Sequence, residues 1–246
     1  MIIAYAKSDI GKAREMNQDA YYISEPSSPI KLYLLADGMG GYKGGEIASN
    51  LAIKCAKSYI ENNFKDVAKD RDSLIQLVAS SMEYANMVVY EKSKEDESFN
   101  GMGTTLVTVV IYNDDMYVAN VGDSRCYIMR DEELKRITID HSVVEDLVRM
   151  NIISEEEAMT HPIRNHITRA MGTDEMVIVD IFRKKLKPHD KILMATDGLT
   201  GYVLDEKIEE ILTSDDNLDV ITNNLIEFAN DVSGKDNTSV ILIEQS

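Results

Sequence analysis

The sequence predicts an α+β fold in which two antiparallel sheets pack together and helices cover them. Short apolar stretches separated by turn residues recur in both halves of the 246-residue chain. Two long helical patterns follow each other between residues 47 and 89, and two more lie near the end, at 204–212 and 218–232. Because there is no repeat, linker or low-complexity segment, we expect residues 1–246 to form a single domain.

The first third of the chain is predicted to contain three strands followed by two helices. The strands are expected at 2–6, 21–23 and 32–36, and Pro26 with Pro29 marks the turn before the third. Apolar side chains then recur at helical spacing, first at Ile47, Leu51, Cys55 and Tyr59, and then at Leu74, Leu77, Val78, Met82 and Ala85.

Beyond Met102 the apolar period changes to that of strands. Strands are expected at 105–112, 116–121, 126–129 and 134–137, with turns at 113–115 and 131–133. An irregular stretch over 140–173 then contains only short helical patterns, at 143–150 and 154–159. Further strands are expected at 176–182, 191–195 and 238–243. A long connection of this kind is often functional.

Composition excludes several classes of function. The chain has 43 acidic and 26 basic residues and a net charge of −17, so we expect it to bind neither nucleic acid nor an anionic membrane. Cys55 and Cys126 are too few for a disulfide framework and are interpreted as buried thiols in a reducing cytoplasm. The chain opens without a signal-peptide pattern and has no apolar run near the ~20 residues that span a bilayer, which predicts a soluble cytoplasmic protein.

Four aspartates stand at the ends of apolar stretches: Asp37, Asp123, Asp197 and Asp236. Each alone is typical of a turn or a helix N-cap. Several such carboxylates brought together would be costly unless cations neutralised them, and hard divalent cations prefer oxygen ligands. Their joint pattern therefore favours a metal-dependent hydrolase.

The motifs around these aspartates carry a specific resemblance. In chain order they are Arg14-Glu15-Met16-Asn17-Gln18-Asp19, Ala36-Asp37-Gly38-Met39-Gly40-Gly41, Gly103-Thr104-Thr105, Gly122-Asp123-Ser124-Arg125, Thr196-Asp197-Gly198 and Asp236-Asn237. This series resembles the bacterial branch of the PP2C (PPM) family of metal-dependent protein serine/threonine phosphatases. A single Asp-Gly is weak support, but six motifs in the family's order across nearly the whole chain are specific.

The resemblance implies a four-layer α-β-β-α sandwich with a flap subdomain at about 140–173. It also implies a site for two Mn²⁺ or Mg²⁺ ions that bridge and activate a water. Asp37 would bridge both ions, Asp197 and Asp236 would complete the first, and the Gly38 carbonyl would bind the second.

Three further roles follow from the same resemblance. Asp19 would hold a metal-bound water by a hydrogen bond, and Arg14 would bind the phosphate with its planar guanidinium. Asp123 would hold a third, weaker ion together with Asp197, the alternative being a turn aspartate paired with Arg125. Arg14 in isolation would be interpreted as part of a surface salt bridge.

The proton donor is the one function that the resemblance leaves open. Many bacterial relatives have a histidine where this chain has Tyr42, and a tyrosine with a pKa of about 10 is a much weaker acid at neutral pH. His161, in His161-Pro162, corresponds to a flap histidine near the substrate, or is an ordinary polar loop residue. The remaining histidines, His141, His166 and His189, carry no comparable signal.

The predicted function is therefore hydrolysis of phosphoserine or phosphothreonine in proteins, opposing a bacterial Ser/Thr protein kinase. We expect phosphoproteins as partners, the kinase and its substrates among them, and a monomeric enzyme. One alternative is a catalytically silent binding module, which would usually have lost its metal aspartates. Another is a related phosphatase acting on an anti-sigma-factor antagonist, a type usually coupled to sensory or transmembrane segments.

Overall fold

A computed structural model describes residues 2–245, except for the side chains of residues 41–43. Its strands form two antiparallel sheets, of order β1-β11-β10-β7-β8 and β2-β3-β5-β6-β9, with β4 pairing to β3. The strands are β1 Ile2–Asp9, β2 Asp19–Ile23, β3 Lys31–Met39, β4 Gly103–Thr104, β5 Leu106–Tyr112, β6 Asp115–Val121, β7 Arg125–Arg130, β8 Glu133–Arg136, β9 Asp180–Lys185, β10 Lys191–Ala195 and β11 Thr238–Gln245.

The α-helices lie outside the two sheets. They are α1 Gly41–Asn63, α2 Arg71–Lys94, α3 Val143–Arg149, α4 Glu155–Thr160, α5 Asp197–Thr200, α6 Asp205–Leu212 and α7 Leu218–Val232. The paired helices α1 and α2 cover β3 and its neighbours, while α7 packs on β1 and β11. In the part of the chain that the structure describes, no helix is both long and apolar enough to cross a bilayer.

Alternating side chains along the strands build the layers, because successive residues of a strand face opposite sides of its sheet. In β3, Leu32 and Leu34 belong to the core beneath α1 and α2, whereas Tyr33 and Leu35 belong to the core between the sheets. In β10, Met194 likewise faces the other sheet, and its neighbour Leu193 faces the C-terminal helices. Three apolar layers thus separate four structural layers, which confirms the predicted α-β-β-α sandwich.

Most predicted elements are present, with one clear error. The strand expected at 176–182 begins only at Asp180, which pairs with Asn120 of β6, and it continues to Lys185. Met176 and Ile178, interpreted as strand residues, have exposed fractions of 86% and 72%. The apolar residues there suggested a strand, but residues 176–179 come before Asp180, where the pairing of β9 with β6 begins. Neither β4 nor α5 was predicted.

Cys55 and Cys126 are buried free thiols, as expected.

The irregular segment at 140–173 contains only α3 and α4 as regular elements. An isolated bridge between Thr104 and Met171 connects the segment to the sandwich, and a second isolated bridge joins Ser142 to Ile167 within the segment itself. In α4 no residue is buried, and in α3 only Val144 and Glu145 are. We call residues 140–173 the flap from here on.

Candidate active site

The strands β2 and β3 bring the first two aspartates together. Asp19 and Asp37 are directly opposite each other in the antiparallel pairing of the two strands. Asp37 is further fixed by its backbone, because its N–H donates to the Thr105 hydroxyl at 2.9 Å and its carbonyl accepts from the Thr105 N–H at 2.9 Å. Gly38, the next residue, is buried. One end of the sheet thus holds two carboxylates that share one face of a strand pair.

The other sheet supplies Asp197 and Asp236. Asp197 begins α5 directly after β10, and Asp236 stands just before β11. The two segments touch at Gly198, where a Cβ atom would lie 1.9 Å from the Asn237 carbonyl oxygen, so only glycine fits. This close approach explains why the sequence has Gly after Asp197, and it places the second pair of carboxylates beside the first.

Electrostatics show that these carboxylates converge on one site. Burial raises the pKa of Asp37 well above its usual value, and the carboxylates of Asp19, Asp197 and Asp123 raise it further. Burial also raises the pKa of Asp197, with Asp236 as the next contributor. The carboxyl groups of Asp37 and Asp197 lie within hydrogen-bonding reach of each other. Without a neutralising cation this arrangement is unfavourable for the ionised groups.

Two oxygens of the cluster have no hydrogen-bond partner in the part of the chain that the structure describes. Asp19 Oδ1 and Asp197 Oδ1 are buried among the described residues and accept no hydrogen bond. The second oxygen of Asp19 accepts from the Thr196 hydroxyl at 3.0 Å. Burial raises the pKa of Asp19 to about 7, although the hydrogen bonds from Ser239 and Thr196 oppose the shift. Buried oxygens of this kind are usually satisfied, so both fit a site that binds a cation and water.

Arg14 extends across the entrance of this cluster. Its Nη2 donates to Asp236 Oδ2 at 2.8 Å, and its side chain remains half exposed. Among the described residues, no three His, Cys, Asp or Glu side chains form a complete metal-ligand set as they stand. The Arg14–Asp236 ion pair thus engages one of the carboxylates that the sequence predicts as metal ligands.

Asp123 lies in the turn between β6 and β7, near the same cluster. Burial raises the pKa of Asp123 well above its usual value, with the Asp197 carboxylate as the next contributor. The alternative that Asp123 pairs with Arg125 is not observed, because Arg125 binds Asp140 at 2.7 Å and lies 3.7 Å from Asp205. Asp123 and Asp197 both line a cavity of about 560 Å³, whose other lining residues come mainly from the flap and also from β7, β8, α5 and α6.

The flap histidine lies apart from the carboxylates. His161 ends α4, and its Nδ1 accepts from the Ile163 N–H at 3.4 Å. It does not line the cavity beside Asp123 and Asp197, whereas Arg164 does. Tyr42, the residue in the place of a bacterial histidine, falls among the side chains outside the described part of the chain.

Three residues that sequence reasoning gave no role hold the site together. Thr105 fixes Asp37, Thr196 donates to Asp19, and Asn237 accepts from the Gln18 N–H at 2.9 Å. Asn237 also donates to the Ile10 and Met16 carbonyls and thereby fixes the loop that carries Arg14. Each of the three is itself part of a quoted motif, and that membership was the only available signal.

Comparison with known proteins identifies the class to which this site belongs. The sequence matches the family described as Protein phosphatase 2C over residues 11–236. The chain belongs to the protein phosphatase 2C family. It resembles the bacterial members in particular: it is 34% identical to the serine/threonine phosphatase Stp of Listeria innocua, over 98% of this chain and 94% of that protein.

Solved structures agree with that assignment. The crystal structure of the serine/threonine phosphatase Stp1 from Staphylococcus aureus superposes with a TM-score of 0.93 at 36% identity, over 100% of this chain and 96% of that one. The catalytic domain of the phosphatase PstP, solved in complex with two manganese ions, superposes with a TM-score of 0.86 at 30% identity, covering 99% and 97% of the two chains.

Proposed function

We propose that this protein hydrolyses phosphoserine and phosphothreonine in phosphoproteins with the help of divalent cations bound at the end of the sandwich. As a member of its family, the chain is a protein serine/threonine phosphatase. The observation that carries the metal site is the convergence of Asp19, Asp37, Asp197 and Asp236 from both sheets. Two of these residues have a buried oxygen that accepts no hydrogen bond from any described residue.

The residues present fit two core cations, either Mn²⁺ or Mg²⁺. Asp37, on β3, would bind both ions, while Asp197 and Asp236 would complete the first and the Gly38 carbonyl would serve the second. The donors are all oxygen atoms, which is the ligand set of hard divalent cations. The PstP structure, solved in complex with two manganese ions, supports by similarity the binding of two Mn²⁺ ions.

When bound, the ions would supply a more acidic attacking water and positive charge beside the phosphate. The chain itself positions the reactants. Asp19, held by Thr196, would accept a hydrogen bond from the attacking water and orient it. Arg14 would exchange its contact with Asp236 for the phosphate oxygens, which its planar guanidinium can bind in pairs.

Two secondary roles complete the proposal, the first of them supported by the cavity beside the core. Asp123 would bind a third and weaker ion together with Asp197, since both residues line this cavity. His161, on the flap, would contact the substrate near its leaving oxygen. The remaining parts of the proposal concern the whole molecule: residues 1–246 form one domain, which acts as a cytoplasmic monomer against the products of a Ser/Thr protein kinase and binds neither nucleic acid nor membrane.

Phosphatase assays with controlled metal supply test this proposal. The protein, treated with EDTA and dialysed, should be inactive on a phosphothreonine peptide and on p-nitrophenyl phosphate, and added Mn²⁺ or Mg²⁺ should restore both activities. Calorimetric titration with Mn²⁺ should show at least two binding sites. Full activity of the metal-free protein would contradict the proposal, and binding of Mn²⁺ without any turnover would favour a silent phosphoprotein-binding module.

A further inference from the structure

His141 is a buried histidine at the start of the flap, far along the chain from the Asp123 turn but in direct contact with it. Its backbone N–H donates to the Gly122 carbonyl at 3.0 Å. Its ring Nδ1 accepts from the Gly122 N–H, also at 3.0 Å. One residue therefore holds both peptide groups of the glycine that precedes Asp123.

The hydrogen bond to Nδ1 determines the state of the ring. Because Nδ1 accepts a hydrogen bond from a backbone N–H, the neutral imidazole must carry its proton on Nε2. Nε2 lies 3.2 Å from Asp180 Oδ2, a carboxylate oxygen that can accept it. Burial lowers the pKa of His141, which favours the neutral ring that this geometry requires.

Asp180 also connects the two ends of the flap. Arg169, near the far end, donates through Nη1 to Asp180 Oδ1 at 2.8 Å and to the Ile178 carbonyl at 2.9 Å. The same Nη1 is 2.9 Å from His141 Nε2. The two nitrogens lie side by side because both donate to the Asp180 carboxylate. In addition, the His141 carbonyl accepts from the Thr168 N–H at 2.7 Å.

The turn that His141 holds has little freedom of its own. Gly122 has a φ of +107°, and a Cβ atom there would lie 2.5 Å from Thr105 Cγ2. Thr105 in turn is the residue that accepts the Asp37 N–H. Its hydroxyl is also 2.8 Å from the Ser124 hydroxyl, on the other side of Asp123. The position of the Asp123 carboxylate therefore depends on contacts to Gly122 and Ser124, and His141 supplies two of them.

We propose that His141 is a positioning residue that fixes the Gly122–Asp123 turn to the base of the flap and so places the Asp123 carboxylate for cation binding. Asp180 assists by holding the imidazole in the tautomer that accepts from Gly122. The proposal rests on the proposed function in one respect, namely that Asp123 binds a cation. The contact between His141 and Gly122 does not depend on that assignment.

Two substitutions distinguish the contact of Nδ1 with Gly122 from the contact of Nε2 with Asp180. In His141→Asn the side-chain oxygen occupies the place of Nδ1 and can still accept from Gly122, but it loses Asp180. In His141→Gln the longer amide can still reach Asp180, but it offers no acceptor in the place of Nδ1. His141→Ala removes both, and His166→Ala, an exposed histidine of the flap, is the matched control.

The first measurement is hydrogen exchange of the Gly122 amide by NMR in the metal-free protein, and the second is calorimetric titration with Mn²⁺. We expect His141→Ala and His141→Gln to expose the Gly122 amide and to weaken the weakest Mn²⁺ site by about 10- to 100-fold, the usual effect of losing a residue that orients a metal ligand. His141→Asn should retain most of both properties, and His166→Ala should equal the wild type.

Several results would overturn the proposal. If His141→Gln matched the wild type while His141→Asn did not, the ring would act through Asp180 and not through Gly122. If every variant lost thermal stability but kept wild-type Mn²⁺ titration, His141 would be only a structural residue. If Asp123→Ala itself titrated like the wild type, the third-ion part of the proposed function would fail, and the Gly122 amide exchange alone would then decide whether His141 fixes the turn.

Discussion

The carboxylate cluster and the flap stand side by side but are positioned by different means. Asp19 and Asp37 are placed by the register of paired strands, and Asp197 and Asp236 adjoin strands whose apolar side chains are fully buried. The flap has two short helices with hardly any buried side chain, and it is held at its base by a few hydrogen bonds. Segments with few buried side chains, such as the flap, have a low free energy of local unfolding.

The two regions also differ in charge balance. The cluster concentrates carboxylates, and among the described residues one buried oxygen each of Asp19 and Asp197 accepts no hydrogen bond. At the base of the flap, by contrast, the carboxylates of Asp140, Glu145 and Asp180 are each bound by an arginine. A compensated network is suited to holding a segment in place, and an uncompensated one to binding a cation. Substitutions in the first region should therefore abolish chemistry, and those in the second should adjust it.

The largest effect is expected from the core aspartates. Asp37→Asn or Asp197→Asn should lower kcat by about 10³-fold, a loss similar to that of other strong transition-state contacts. The fold should survive, because either change relieves repulsion between buried carboxylates, so the melting temperature of the metal-free protein should rise. The measurements are steady-state kinetics on a phosphothreonine peptide and thermal unfolding in EDTA, with the exposed Asp66→Asn as control. Near-normal turnover of either variant would remove that aspartate from the catalytic centre.

A smaller effect is expected where the cluster meets the flap. Asp123→Ala should reduce phosphopeptide turnover by about 10- to 100-fold and leave the two tight Mn²⁺ sites occupied, if Asp123 holds only a third ion. Calorimetric titration with Mn²⁺ counts the sites in the variant. Loss of all tight binding would show instead that Asp123 belongs to the core and that the boundary between the two regions is drawn wrongly.

Within the flap, His161→Ala should lower the turnover of a phosphopeptide more than that of p-nitrophenyl phosphate. A serine or threonine alkoxide needs a proton as it leaves, whereas p-nitrophenolate hardly does. We expect phosphopeptide turnover to fall by about tenfold, less than is usual for a general acid because water can replace the imidazole. Turnover of p-nitrophenyl phosphate should change little, and His166→Ala should change neither.

Tyr42→Phe is the companion experiment, and it should be mild on both substrates. If this substitution alone abolished phosphopeptide hydrolysis while sparing p-nitrophenyl phosphate, the acid would be the tyrosine and not the flap histidine.

The smallest effect concerns the pH dependence of stability. Because burial raises the pKa of Asp19 to about 7, the folded metal-free protein binds that proton more tightly than the unfolded chain does. Stability should therefore fall as pH rises from about 4 through 7. Replacing Asp19 by Asn should remove part of this loss of stability. The part removed should correspond to a few degrees in melting temperature for a protein of this size.

Thermal unfolding in EDTA between pH 5 and pH 8 measures that difference, and Mn²⁺ should restore the wild type at the upper end. Asp66→Asn should follow the wild-type curve. An Asp19→Asn curve parallel to the wild type would mean that the Asp19 proton is not bound more tightly in the folded state.

How much the sequence revealed differs between the two regions. Asp37, Asp197 and Asp236 were identified because each adjoins an apolar strand, and a strand has a period and a direction that can be read from the chain. Asp19 was identified only through the family motif that contains it. The roles of the supporting residues Thr105, Thr196 and Asn237 were not predicted, because a side chain that hydrogen-bonds to a residue distant in the chain leaves no periodic signal. His141 was missed for the same reason.

The sequence by itself determined the two sheets, the helix pairs around them, the family motifs and the acidic character of the site, because these depend on local apolar patterns and on residue type. Only the tertiary structure decided which groups meet. It showed that Arg125 binds Asp140 and not Asp123, that Arg14 binds Asp236, and that one histidine of the flap holds the Asp123 turn. Such contacts join residues far apart in the chain, and their geometry follows from packing of the whole molecule and not from any local preference.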